Sequence, residues 1–226
     1  MSRLNNLAGI IDHTLLKPEA TEQDIVTLCK EASEFGFASV CVNPCWVHKA
    51  VRELEETNVK VCTVIGFPLG ANIPSIKVTE TKTALVTGAK EIDVVINIGR
   101  VKMRDENYIL QELRRIADTC KSHDALLKVI LETSLLTEAE KTFAAQLALR
   151  AGADFVKTST GFASGGATVE DIVLLRQIVG DKAKIKASGG IRTLGDATKM
   201  IEAGADRIGA SAGVSIVREF LASTGE

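Results

Sequence analysis

The apolar residues of this chain fall into short β-branched runs separated by longer stretches with helical spacing. Four runs, Gly9-Ile10-Ile11, Lys60 to Ile65, Leu126 to Leu131 and Lys184 to Ala187, read as strands. Four more follow a recurring join, in which a helical stretch ends at a glycine and a strand starts at once. The joins are Phe35-Gly36-Phe37-Ala38 before Ser39-Val40-Cys41-Val42, Thr87-Gly88-Ala89-Lys90 before Glu91 to Ile96, Ala151-Gly152-Ala153-Asp154 before Phe155-Val156-Lys157, and Ala203-Gly204-Ala205-Asp206 before Arg207 to Ala210. Each glycine stands where a left-handed helix cap is needed to turn the chain back. The spacing is near that of two β/α units, so each join precedes every second strand.

Helical spacing covers Thr21 to Phe35, Ser75 to Val86, Asp105 to Cys120, Thr137 to Arg150 and Thr168 to Val179. Thr21, Thr137 and Thr168 are suited to N-caps, with acidic residues close behind. Eight strands in strict alternation with helices predict an α/β fold, a closed parallel (β/α)₈ TIM barrel rather than an open doubly wound sheet. No Gly-x-Gly-x-x-Gly or Walker lysine motif follows a strand to argue otherwise. At 226 residues the chain fits one such domain, spanning 1–226.

Composition narrows the class further. Lys plus Arg number 27 against 29 Asp plus Glu, so there is no global positive field of the kind that nucleic-acid binding needs. A phosphorylated small molecule needs only a local cation. The opening Met1-Ser2-Arg3-Leu4-Asn5-Asn6 is not a leader, and no apolar run reaches membrane-spanning length, so a cytoplasmic protein without membrane contact is expected. The five cysteines are scattered and mostly embedded in apolar runs, which suits reduced core thiols. Cys41, Cys45 and His48 have the wrong spacing for a common structural zinc site, so no metal is assigned.

In a barrel of this kind the chemistry sits at the C-terminal ends of strands. Strand four carries Asp93, strand five leads into Glu132, strand six ends in Lys157 with Thr158 to Gly161 after it, and strand seven holds Lys186. Strand one leads into Asp12-His13-Thr14. A lysine inside an apolar strand is disfavoured as an ammonium unless paired, and desolvation beside a second cation makes an amine nucleophile. Lys157 and Lys186 lie at the same end of adjacent strands. Position alone leaves two readings open: a Schiff-base pair, or structural lysines bridging a carboxylate such as Glu132 or Asp93. Lys128 and Lys184 also lie on strands and receive no function. Two glycine-rich loops, Ser188-Gly189-Gly190-Ile191-Arg192 and Gly209-Ala210-Ser211-Ala212-Gly213, follow strands seven and eight, where barrels commonly hold phosphate.

Seven ordered motifs cover nearly the whole chain: Ile11-Asp12-His13-Thr14-Leu15-Leu16, Ser39-Val40-Cys41-Val42-Asn43-Pro44, Val64-Ile65-Gly66-Phe67-Pro68-Leu69-Gly70, Glu91 to Asn97, Lys128-Val129-Ile130-Leu131-Glu132-Thr133, Val156 to Phe162, and Lys186 to Arg192. In these the chain resembles the deoxyribose-phosphate aldolase family. The resemblance implies reversible cleavage of 2-deoxy-D-ribose 5-phosphate to D-glyceraldehyde 3-phosphate and acetaldehyde, without metal or organic cofactor. It puts the Schiff-base lysine on Lys157, its activator on Lys186 and the proton-shuttling aspartate on Asp93. Asp12, Thr14 and Cys41 match positions that line the family's site, and Thr160, Gly161, Gly189, Gly190, Gly209 and Ser211 are expected to hold the phosphorylated sugar. A homo-oligomer, dimer or tetramer, is expected. Two departures stand out. Phe162 replaces a lysine of some longer members, and the chain stops at Ser223-Thr224-Gly225-Glu226 where others extend to a terminal tyrosine. The competing readings are another phosphosugar barrel enzyme, and a catalytically silent phosphosugar-binding barrel that would have no need of desolvated lysines.

Overall fold

The structure is a computed structural model that describes residues 6–225. Its strands are β1 (Ile11–Leu15), β2 (Ser39–Val42), β3 (Lys60–Ile65), β4 (Glu91–Val95), β5 (Leu126–Ile130), β6 (Phe155–Lys157), β7 (Lys184–Ser188) and β8 (Arg207–Ala210). They pair in parallel in chain order and β8 closes on β1, with Ile11 opposite Ile208 and Asp12 opposite Gly209. This is the expected (β/α)₈ barrel. The helices are α1 (Glu22–Phe35), α2 (Val47–Glu53), α3 (Pro74–Val86), α4 (Ile98–Lys102), α5 (Glu106–Lys121), α6 (Glu138–Ala151), α7 (Val169–Val179), α8 (Leu194–Glu202) and α9 (Gly213–Thr224).

The four glycine joins have one geometry. Gly36, Gly88, Gly152 and Gly204 all take positive φ. In each join the next residue's N–H reaches back five residues: Phe37 to Ala32, Ala89 to Ala84, Ala153 to Ala148 and Ala205 to Met200. The residue after that donates to the preceding strand, as Lys90 does to Val61 and Asp154 to Leu127. The turn that ends the helix thus also starts the ladder. At the opposite ends Thr21 and Thr137 form reciprocal capping boxes and Thr168 accepts from Asp171 N, as their position suggested.

One strand lies later than expected. Ala8–Ile10 form a 3₁₀ turn, and β1 begins at Ile11, so that Asp12, His13 and Thr14 are inside the strand rather than beyond it. Asp93 and Lys186 likewise stand at the centres of β4 and β7, one turn of the pleat deeper than a strand end.

Period-two alternation sorts the strands into two environments. Ile92, Val94, Leu127, Val129, Val156, Ile185 and Ala187 face outward into the apolar layer beneath the helices. Their neighbours Glu91, Asp93, Lys128, Lys157 and Lys186 face inward, and all five are buried. The barrel interior is therefore charged through its middle, with a small apolar cluster of Leu16, Cys41, Cys62 and Val64 under Phe67 near the mouth. Outside it, Lys77 on α3 donates to Val95 O (2.9 Å) and to Glu112 of α5 (2.7 Å), tying two helices to the end of β4.

Glycine at the joins is not equally demanding. A Cβ on Gly88 would meet Val51 Cγ2 at 2.9 Å, whereas one on Gly36 meets nothing within 4 Å. In urea unfolding, Gly36→Ala is expected to lose roughly 1 kcal/mol from the left-handed backbone alone, and Gly88→Ala clearly more, by roughly 2–3 kcal/mol in all.

Candidate active site

Six inward-facing side chains from five strands, two of them from β4, form a closed ring of alternating charge. Arg207 (β8) lies 2.6 Å from Asp12 Oδ1 and 3.5 Å from Glu91 Oε1. Lys128 (β5) bridges Glu91 Oε2 at 2.5 Å and Asp93 Oδ1 at 2.9 Å. Lys186 (β7) bridges Asp93 Oδ2 at 2.8 Å and Asp12 Oδ2 at 2.5 Å, which completes the circuit. Lys157 hangs from this ring by one contact, 2.7 Å to Asp93 Oδ2. Register explains the meeting: Asp93 is paired with Lys128, and Lys157 with Lys186, across adjacent strands.

Charge states follow from the ring. Burial opposes the charge on Asp93, but Lys128, Lys157 and Lys186 outweigh it and hold the carboxyl well below its usual range. Asp12 is likewise depressed, burial being overcome by Lys186, Lys128 and Arg207. Lys186 and Lys128 are both raised, because carboxylates, Asp12 first for Lys186 and Asp93 first for Lys128, more than offset their burial. Lys186 is thus a firmly held cation beside Lys157. The Cys62 thiol donates to Asp93 Oδ1 at 3.1 Å and is pushed up, first by burial and then by Cys41 and Asp93. Among the described residues Cys41, Cys62 and Asp93 bring potential ligand atoms within 4.8 Å of one another, but the ammonium groups around Asp93 oppose a metal cation there. Cys45, by contrast, is exposed and apart from buried Cys41.

Above the ring, at the C-terminal face, opens a cleft of about 290 Å³. Lys157 contributes to its floor, and Thr14, Thr160, Gly161, Gly189, Gly190, Gly209 and Ser211 line it. All twelve residues singled out in the sequence therefore converge: seven in the cleft wall, Asp93, Lys186, Asp12 and Cys41 buried in the barrel, and Lys157 joining the two sets. Gly209 and Glu132 are placed differently from expectation. Gly209 is in β8 rather than the following loop, and a Cβ there would meet Ser188 Oγ at 2.3 Å and Lys186 Cε at 2.9 Å, so its bareness makes room for the lysine. Glu132 touches neither lysine; it accepts from Thr160 N at 3.2 Å and from the Thr160 hydroxyl. Gly189 O accepts from Ala167 N at 3.0 Å, and a Cβ on Gly166 would strike that carbonyl, so the loops after β6 and β7 are packed backbone to backbone. Thr14 Oγ1 donates to Asp12 O at 2.8 Å.

Five residues were given no role of their own in the sequence reading. Glu91 and Arg207 open their strands, at the end away from the face where barrel chemistry is sought. Lys128 had the right parity and no partner visible in sequence. Lys17 and Arg192 line the cleft mouth, the only signal for Lys17 being that it follows β1 directly.

A closed parallel barrel whose charged interior places one lysine at a cleft by the strand ends is the architecture of an α/β-barrel enzyme with a site for a small substrate. Within that class the comparisons are specific. The family model for DeoC/LacD family aldolases matches residues 7–222. A deoxyribose-phosphate aldolase of Thermoanaerobacter sp. (strain X514) is 58% identical over 216 residues, 95% of this chain and 97% of the relative. Another, of Geobacillus sp. (strain WCH70), is 57% identical over 220 residues, 97% of this chain and 98% of the relative. The tetrameric deoxyribose phosphate aldolase structure from Aeropyrum pernix superposes with a TM-score of 0.90 at 38% identity, covering 96% of this chain and 92% of that one. The chain belongs to the DeoC/LacD aldolase family.

Because Asp93 and Asp12 are depressed, their stabilisation is present above the unfolded-state value of about 3.9 and is lost as pH falls through the lower folded values. Wild-type stability in denaturant melts is expected to decline as pH is lowered from about 4. Asp93→Asn should be less stable at pH 7 by roughly 3–5 kcal/mol and show a shallower decline below pH 4.

Proposed function

We propose that the chain reversibly cleaves 2-deoxy-D-ribose 5-phosphate to D-glyceraldehyde 3-phosphate and acetaldehyde through a Schiff base on Lys157. The observation that carries this is the placement of one amine: of the lysines buried in the barrel, Lys157 lines the cleft, whereas Lys128 and Lys186 are wholly enclosed beneath it. The substrate is the one named for the curated relatives at nearly full length.

In the cleavage direction the Lys157 amine adds to the C1 aldehyde, and loss of water leaves an iminium. The C3 hydroxyl gives up its proton and the C2–C3 bond breaks, its electrons flowing into the iminium. Glyceraldehyde 3-phosphate leaves, and an enamine remains on Lys157. A proton returned to the enamine carbon regenerates an iminium, which water hydrolyses to acetaldehyde and the free amine. Asp93, held as an anion, is the acceptor beside Lys157 for protons leaving the nitrogen and the carbinolamine. Lys186, held as a cation by Asp12 and Asp93, shares Asp93 Oδ2 with Lys157 and stands as the second cation beside the nucleophile.

The phosphate fits the cleft wall where Gly189, Gly190 and Ser211 offer backbone and hydroxyl donors. Lys17 and Arg192 supply cations at the same mouth, where Phe162, in place of the lysine expected in some longer members, packs edge-on against Phe67. The assembly we take to be a homo-oligomer, supported by the tetrameric relative and by exposed Leu69, Ile73 and Ile76 around the start of α3. A cytoplasmic location accords with five free cysteines. No helix among the described residues is long and apolar enough to cross a membrane.

Acetaldehyde with borohydride is expected to leave a reduced two-carbon adduct on Lys157 in peptide mass spectrometry; labelling elsewhere, or none, overturns the Schiff base. Lys157→Leu should lower kcat/KM in a retro-aldol assay at least roughly a thousandfold. Arg192→Ala should raise KM for the phosphorylated sugar about tenfold with little change in kcat, the pattern of lost phosphate binding.

A further inference from the structure

The ring beneath the cleft contains three carboxylates, Asp12, Glu91 and Asp93, and three cations, Lys128, Lys186 and Arg207. Around the circuit each cation bridges two carboxylates, and Lys128 also reaches across it to Asp12 Oδ2 at 3.7 Å. It is closed without Lys157, which is a fourth cation when protonated and adds only one contact. Protonated, Lys157 leaves the interior with one surplus positive charge; as an amine it leaves the interior neutral. Of the three ring cations, Arg207 alone carries a charge that proton loss cannot remove. It also reaches outward, its side chain 14% exposed at the start of β8, while the two lysines are sealed in.

We propose that Arg207 is a positioning residue of the reaction: by closing the ring through Asp12 and Glu91 it makes Lys157 the surplus cation, so that the amine is released from the task of neutralising Asp93. Arg207 touches no substrate and acts through two carboxylates. Without it, three carboxylates face two lysines, and Lys157 becomes the third cation the interior needs. Its proton is then retained to higher pH, and fewer molecules hold the nucleophilic amine. Loss of Glu91 acts in the opposite sense, leaving three cations to two carboxylates and driving the proton from Lys157.

The groups facing Lys157 from the packed elements are Asp93 of β4, Lys186 of β7, Lys128 of β5 on the other oxygen of Asp93, Asp12 of β1, and the Cys41 and Cys62 thiols of β2 and β3. Lys17 and Arg192 stand above, at the cleft mouth. Arg207 and Glu91 can be altered without removing any group in contact with Lys157 or with Asp93.

This inference rests on the Schiff-base reading, and the experiment separates the two. The kcat/KM pH profile for deoxyribose 5-phosphate cleavage is measured for wild type, Arg207→Met, Arg207→Lys, Glu91→Gln and the Arg207→Met/Glu91→Gln double variant. Borohydride labelling of wild-type Lys157 is run in parallel. The acid limb is expected to move up by roughly one pH unit in Arg207→Met and down by a similar amount in Glu91→Gln. It should return near the wild-type position in Arg207→Lys and in the double variant, where two cations again meet two carboxylates. A purely structural role would lower kcat without opposed shifts. Limbs that stay in place, or move in one direction in both single variants, overturn the proposal. If Arg207→Met does not fold, an unmoved limb in Glu91→Gln overturns it and an acid-side shift supports it. Absent labelling of wild-type Lys157 defeats the Schiff-base reading instead.

Discussion

Asp93 is the constraint on which the rest of this structure depends. Its two oxygens take three ammonium groups and a thiol, from β5, β6, β7 and β3, in a space that admits no water-like averaging of charge. A buried ion is stable only if its partners are held in good geometry. Here every partner is rooted on a different strand of one closed sheet, so the hydrogen bonds of the barrel set the spacing of the charges. An open sheet would leave an edge where β8 meets β1, and the contact between Arg207 and Asp12 crosses that seam.

The division of labour between the two sides of each strand follows. Outward residues bury apolar surface under the helices and supply the stability. Inward residues can then be charged, because they are compensated by one another rather than by solvent. Small residues at chosen places make that possible. Gly209 leaves space for the Lys186 stem and Ser188, and Gly166 and Gly189 let two loops touch at the cleft wall. Glu132 takes a backbone conformation with positive φ and spends its carboxylate on Thr160, fixing the loop that follows Lys157.

The chemistry is thereby split by depth. Lys186 and Asp93 are enclosed, and their charge is set by the ring. Lys157 has one contact with that ring and one face toward the cleft, so it feels the charges below while remaining open to a carbonyl above. The glycine-rich loops after β7 and β8 line the cleft above. Lys157 and the two glycine-rich loops line one cleft, an arrangement that suits the short phosphorylated aldehyde of the proposed reaction.

Eight strands, their alternation with helices and the four glycine joins were legible from sequence, because each depends on short-range periodicity and on backbone preferences of single residues. The places of Lys157, Lys186 and Asp93 in the barrel strands were also legible, since a charge amid β-branched residues is anomalous wherever the strand sits, but position alone left a catalytic and a structural reading open. What sequence could not supply was depth and partnership. Gly209 looked like a loop glycine until β8 was seen to include it, and Glu132 looked like a lysine partner until the chain turned it toward Thr160. Arg207 and Asp12 lie at opposite ends of the chain, and their contact exists only once β8 closes on β1. Local pattern determined that a barrel would form and which side chains would be out of place in its strands; closure of the barrel decided which charges meet, because pairing across strands depends on register and pleat rather than on distance along the chain.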